Sequence, residues 1–177
     1  MIKLLRWIFY PAAAVALIVV GASFLLPAQA VVIRSIEIAA PPDDVFAIVG
    51  DLRRFQEFSP WADRDPDIEY RFEGTESGLG QKMRWTSDNP DIGSGTQTII
   101  EFDPPNYAEM ALDLGKMGRS VASWDLVPSQ TGTKVTWEFR SNLKGIPAKW
   151  FGLMFDSWIG PDYEKGLAKL KALAEKA

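Results

Sequence analysis

Asp63, Asp65, Asp67 and Glu69 form the densest group of chemically capable side chains in the sequence. Carboxylates this close could share a proton or hold a cation, yet their spacing matches neither an EF-hand loop nor any other strong metal signature. They read as a solvated acidic loop. The chain has no His and no Cys, which removes thiol nucleophiles, disulfides, Cys/His zinc sites and every triad built on an imidazole base. Catalysis would have to rest on carboxylates, Tyr, Lys or Arg. Arg34 shares strand parity with Ile36 and Ile38, which aims it at the covered face. A cation at a cavity mouth there would orient an acidic ligand, and the alternative is a strand-end arginine snorkelling to solvent. Glu138 follows Trp137 and points to the opposite face, where it suits a cross-strand Lys or Arg. Gly78-Leu-Gly80 and Gly93-Ser-Gly95 neither precede Lys-Ser/Thr nor open a helix after a parallel strand, so they are turn glycines. No G-x-S-x-G elbow, glycosylation sequon, cofactor motif or metal-ligand spacing is present.

The remaining candidates are aromatic and sulfur-bearing. Seven Trp and five Met in 177 residues are more than a close-packed core needs, and aromatic walls with flexible thioethers suit an adaptable pocket. Period-two alternation puts Met83 with Trp85, Met110 with Leu112 and Leu114, Ala122 with Trp124 and Leu126, and Val135 with Trp137 and Phe139 on single faces. The other face carries Lys82, Arg84, Glu101, Glu109, Asp113, Asp125, Glu138 and Arg140, so the sheet has one wet and one covered face. Trp150, Met154 and Trp158 recur at steps of four in the apolar segment Pro147 to Ile159. The expected ligand-contacting set is Trp85, Met110, Trp124 and Trp137 on the sheet, facing Met154, Trp158 and Tyr163, with Arg34 at the mouth. For any single member, plain core packing accounts for the same pattern.

These residues need strands and a covering helix to position them. Val31 to Ile38 is a β-branched first strand. Val45, Phe46 and Val49 give a short helix opened by Pro42, and Asp51 to Trp61 a second one stopped by Pro60. Six strands follow, Ile68 to Glu73, Gln81 to Thr86, Gly95 to Asp103, Tyr107 to Leu114, Arg119 to Val127 and Thr133 to Leu143, separated by turn residues. The chain closes on a helix from Gly160, with Pro161 at its first position, acids in its first turn and lysines towards its end. Tyr163, Leu167, Leu170 and Ala174, with Leu173 alongside, form its apolar stripe, which needs a large antiparallel sheet to cover.

Ahead of the first strand, Trp7 to Leu26 runs about 20 residues without a charge, roughly the length of a membrane-spanning helix. Lys3 and Arg6 precede it, which keeps the N-terminus cytoplasmic and sends the rest to the extracytoplasmic side. Pro27-Ala28-Gln29-Ala30 resembles a cleavage site, so the run is either an uncleaved single-pass anchor in the cytoplasmic membrane or a signal whose removal releases the domain. The division is thus 1–30 as membrane segment and 31–177 as one domain. With a net charge of −4 and no basic block interleaved with aromatics, nucleic acid is not an expected partner.

The element order, with Ile38-Ala-Ala-Pro-Pro-Asp-Asp-Val-Phe46, Phe58-Ser-Pro-Trp61, Gly132-Thr-Lys-Val-Thr-Trp137 and the Gly160-Pro-Asp-Tyr-Glu-Lys ending, resembles the START-like superfamily, specifically the polyketide cyclase/dehydrase and lipid-transport group of SRPBCC proteins. The resemblance spans about Val31 to Ala177. It implies an α+β helix-grip fold, an antiparallel sheet of about seven strands wrapped around a long C-terminal helix, with a hydrophobic cavity between them. The expected function is a membrane-tethered, periplasmic domain that binds or carries a small hydrophobic ligand, such as a lipid, quinone or polyketide-like molecule, without a cofactor. A cyclase- or dehydrase-like enzyme using Tyr163 or Arg34 with ordered water is the alternative. A third reading is an envelope protein-interaction module with a filled core.

Overall fold

A computed structural model describes the backbone of residues 2–176, and the side chains of all of these except residues 2–9, 11, 12, 16 and 116. Helix α1 (Ile2–Ser23) leads into β1 (Gln29–Ile38), α2 (Pro42–Val49), a 3-10 turn (Leu52–Arg54), α3 (Phe55–Phe58) and α4 (Pro60–Arg64). The meander follows as β2 (Glu69–Glu73), β3 (Lys82–Thr86), β4 (Gly95–Asp103), β5 (Tyr107–Asp113), β6 (Arg119–Ser129) and β7 (Gly132–Asn142). Helices α5 (Ile146–Gly152) and α6 (Phe155–Ala174) complete the chain. The seven strands form one antiparallel sheet in the order β1-β7-β6-β5-β4-β3-β2, with the first and second strands at opposite edges. The long last helix crosses its covered face, so the α+β helix-grip architecture is present.

The alternation along the strands explains which face is covered. Met83, Ile99, Met110, Trp124, Leu126, Val135, Trp137 and Phe139 are buried in one cluster with Tyr163, Leu167, Leu170 and Ala174 of α6. The outer face carries paired ions, among them Arg140 with Glu109 and Glu138, and Lys82 with Glu73. Helix α2 closes the far end of the core through Val45, Phe46, Ile48 and Val49. Buried Gln81 donates to Asp51 Oδ1 at 2.6 Å and accepts from the Leu52 amide at 2.8 Å, which fixes the 3-10 turn to the sheet.

Two prolines decide where helices begin and end. Pro60 does stop the helix before it, since α3 ends at Phe58 and Ser59 is extended, but it also occupies the first turn of α4, where its missing N–H has no ladder partner to lose. Ala62, Asp63 and Arg64 are therefore helical and not loop. Pro161 lies inside α6, which starts at Phe155, because the apolar segment ahead of it continues the same helix. The structural cost is one missing ladder donor opposite the Ser157 carbonyl. Gly160 beside it leaves room for the Arg34 guanidinium, which would have to shift if a Cβ stood there, 2.1 Å from its Nη2.

The expected membrane segment, Trp7 to Leu26, falls partly on side chains outside the described residues. Helix α1 covers most of the run, ending at Ser23. Among the described residues no helix is long and apolar enough to cross a membrane, so the structure gives that segment no support. The first strand begins earlier than expected, with Gln29 and Ala30 paired to Asn142 and Ser141.

Candidate functional site

Between the covered face of the sheet and α6 lies a pocket of about 550 Å³, within the range of small-molecule sites. Its apolar wall begins with Trp137 on β7. That indole stacks on Trp124 with ring centroids 4.4 Å apart, and on Tyr163 of α6 at 3.7 Å, both nearly parallel. Phe55 and Trp61 meet the Trp137 ring edge-on. Edge-to-face pairs of this kind are favourable beyond the area they bury. Gly166 allows the approach of α6, because a Cβ there would stand 2.7 Å from Trp137. Trp85 and Leu112 extend the wall along the sheet, and Phe155, Trp158 and Ile159 along the helix.

A few polar groups break this surface. Ser120 Oγ donates to Ser141 Oγ at 3.1 Å, and both serines line the pocket beside Gln97, which is also buried. Ser59 is completely buried, and its Oγ has no hydrogen-bond partner among the described residues. An orphaned hydroxyl in a pocket wall is costly unless something bonds it. Asp162 is paired with Arg64 across the helix side. Burial, and to a smaller degree the charge of Glu138, pushes the Tyr163 phenol far above its ordinary value. Tyr163 therefore stays protonated and is able to donate, while acting as a base is closed to it. Burial, and to a smaller degree the charge of Asp65, also raises the pKa of Tyr70, another lining residue. The arrangement can enclose an apolar body and offer hydroxyl and amide groups to a few oxygens.

The expected ligand residues divide by position. Trp85, Trp137, Trp158 and Tyr163 are on the pocket wall. Met110 and Trp124 are fully buried behind it, as core that supports the wall. Met154 lies off the pocket at the helix corner, 44% exposed, because α5 ends before it and α6 starts after it. Arg34 is not at the mouth. Its guanidinium donates to Asp156 at 2.9 Å and to Glu164 at 2.7 Å, clamping α6 to β1. Strand parity puts it on the covered face, where the helix acids that hold it come from 122 and 130 residues away. Those hydrogen bonds, Asp156 foremost, raise the Arg34 pKa, and Arg34 in turn lowers that of Asp156. The acidic group is also dispersed: Asp63 binds Lys165 and Lys169, and among the described residues no metal-holding cluster exists. Missed altogether were Ser59, Gln97, Ser120 and Ser141. The last three share parity with Ile99, Ala122 and Phe139, which was signal enough to place them on the covered face.

A second hollow, about 590 Å³, lies on the outer face near Thr96, Glu109, Arg119 and Arg140. Its charged lining gives an apolar ligand less to bury, which makes the inner pocket the candidate site.

Comparison with known proteins agrees with this geometry. Residues 29–175 match the model of the family described as polyketide cyclase / dehydrase and lipid transport. No curated protein matches the chain. Among solved structures, a Mesorhizobium loti protein superimposes with a TM-score of 0.58 at 17% identity, covering 83% of this chain and 98% of that one. A Staphylococcus aureus protein of unknown function gives 0.61 at 11% identity, covering 83% and 96%. The di-domain ARO/CYC StfQ from the steffimycin biosynthetic pathway gives 0.61 at 16%, with 84% of this chain covering 51% of that one. At such identities these likenesses show a shared fold. The match over nearly the whole globular part is what assigns the chain: it belongs to the polyketide cyclase / dehydrase and lipid transport family of SRPBCC proteins.

Proposed function

We propose that this protein binds and carries a small hydrophobic ligand in the pocket between sheet and α6, while α1 holds the domain at a membrane surface. The single observation that carries the reading is the pocket itself, about 550 Å³ of mainly apolar, aromatic-rich wall with a handful of polar groups. Such a lining selects apolar bodies bearing few oxygens, a class that includes lipids, quinones and polyketide-like molecules. The tether is supported by the uncharged run Trp7 to Leu26, and by Val15, Leu17, Ile18, Phe24 and Leu25, which expose their apolar side chains on the described part of α1 and just beyond it. Ligands of this class partition into bilayers, so a domain held there meets them at high effective concentration. Lys3 and Arg6 favour a cytoplasmic N-terminus and a periplasmic domain. Ala30 is buried and paired within β1; cleavage after it would cut a sheet strand, which supports the uncleaved anchor over the secreted form.

Solvent extraction of the purified full chain, followed by mass spectrometry, tests the carrier reading. A stoichiometric apolar compound is the expected result, and repeated extraction of empty protein that also takes up nothing added would overturn it. Protease added to intact spheroplasts should digest the domain, and protection there would reverse the orientation. A second reading, an enzyme of the cyclase or dehydrase kind, is favoured by the Tyr163 phenol standing in the same pocket as the orphaned Ser59 hydroxyl and the Arg64–Asp162 pair. Chemical conversion of a bound compound, abolished by Tyr163→Phe, would select it.

A further inference from the structure

The two ends of the sheet are unlike. The pairings Gln29 with Asn142, Ser141 with Ser120, Ser120 with Leu112 and Leu112 with Gln97 set one end of the sheet. The start of β1, the exit of β7, the β5–β6 tip and the β3–β4 turn all lie there. Helix α1, which precedes β1, and helix α5, which follows β7, leave from this same end. They are tied to each other: Lys149 Nζ donates to the Ser23 carbonyl at 3.1 Å, and the Leu143 amide to the Ala28 carbonyl at 2.9 Å.

This end also carries large apolar side chains left in the open. Phe151, Leu153 and Met154 at the α5–α6 corner, Trp158 one turn into α6 and Met117 at the β5–β6 tip are between 44% and 74% exposed. Met117 and Trp158 also line the pocket, with exposed Pro90 and Asp91 of the β3–β4 turn. The pocket mouth and the apolar corner therefore belong to one surface.

We infer that this surface rests on a lipid bilayer, with the α5–α6 corner seated in the interfacial layer, so that the pocket mouth opens at the leaflet. The proposal rests on the reading of α1 as the membrane anchor. Three features select a bilayer as the occupant. The apolar surface of α1 continues to the domain through exposed Phe24 and Leu25. Trp150 and Trp158 are of the residue type that concentrates at the membrane interface. Exposed Lys144 flanks the corner, where its stem can lie along apolar surface while its ammonium group meets phosphates. Exposed Asp91 marks the opposite rim of the mouth as the side left in water, so the domain tilts onto α5. The family's binding pocket does not require such a surface; it follows from where α1 and α5 meet the sheet.

Because the chain has no Cys, single cysteines can be placed cleanly. Nitroxide labels on Phe151→Cys and Leu153→Cys, on Ile18→Cys in α1, and on Val127→Cys near the opposite end of the sheet would be compared. The full chain is reconstituted in phosphatidylcholine/phosphatidylglycerol vesicles, and collision with oxygen is measured against collision with an aqueous nickel chelate. The expected result is preference for oxygen at 151 and 153, and preference for nickel at 127. Nickel preference at 151 and 153 with oxygen preference at 18 would overturn the docking while leaving the anchor intact. Nickel preference at all four positions would overturn both. Oxygen preference at 151 and 153 but not at 18 would support the docked surface and sink the anchor. Dipolar broadening between labels at 151 would assign the corner to a second copy of the chain and overturn the proposal.

Discussion

Replacing Trp137 with Ala should be among the most damaging single changes in the domain, and replacing Trp158 among the mildest of its tryptophans. The Trp137 indole is 2% exposed and is held between Trp124 and Tyr163, with Phe55, Phe58 and Trp61 at its edges. Only part of its surface faces the pocket, so most of what its removal vacates is packed space. Aromatic-to-alanine truncations in packed cores cost about 3–5 kcal/mol, comparable with the lower part of a domain's whole margin of about 5–15 kcal/mol. Trp158 is half exposed and leaves no closed void, which limits its loss to about 1 kcal/mol. Urea unfolding of the detergent-solubilised full chain, followed by circular dichroism, measures both. A loss below about 1 kcal/mol for Trp137→Ala would mean that the pocket already surrounds this ring and that the stack is not a structural element. Equal losses for both variants would also refute the division into core wall and mouth.

The other outcomes follow from the same contacts. Arg34→Gln should cost about 1 kcal/mol through its two partly exposed ion pairs, and should leave the preference between acidic and neutral ligands unchanged. A selective loss of acidic ligands on binding assay would put Arg34 back at the mouth. Deleting Pro161 to Ala177 uncovers the sheet beneath Tyr163, Leu167 and Leu170, each worth about 1.5–3 kcal/mol, so the truncated chain should be unfolded or insoluble; cooperative melting of a soluble product would contradict this. In acid, Asp63 is held low by Lys169 and Lys165, Asp156 by Arg34, and Glu175 by the Ala39 amide and Lys171. Carboxylates with depressed folded pKa values contribute fully above the unfolded value of about 4 and lose that contribution as pH falls through the folded values. Melting temperature should therefore hold steady down to about pH 5 and drop below about pH 4, and Asp156→Asn should shrink that drop.

What could be read in the sequence was periodic. Strand parity placed Trp85, Trp124 and Trp137 on the covered face and Glu109, Glu138 and Arg140 on the wet one, because a pleated strand alternates whatever it packs against. Turn residues set most strand limits to within a residue or two. Proline was harder: Pro60 reads as a helix stop but also opens the next helix, and Pro161 reads as a helix start but is carried inside one. That choice depends on what the flanking segment packs on. Side chains that cross between elements were the least legible. Arg34 finds Asp156 and Glu164 across 122 and 130 residues of sequence, and no local pattern encodes such a meeting. The pocket's serines were hidden for a simpler reason: Ser120 and Ser141 lie in strands whose identity was carried by their apolar neighbours.

If the inner pocket takes an apolar ligand, tryptophan emission reports it directly. Trp85, Trp137 and Trp158 stand on its wall, so titrating the full chain with a long-chain fatty acid or a quinone should change emission saturably. It should also raise the melting temperature with ligand concentration, by mass action on the folded form. A soluble sugar or nucleotide should do neither. A broad panel of apolar compounds that leaves both emission and melting unmoved would contradict the carrier account.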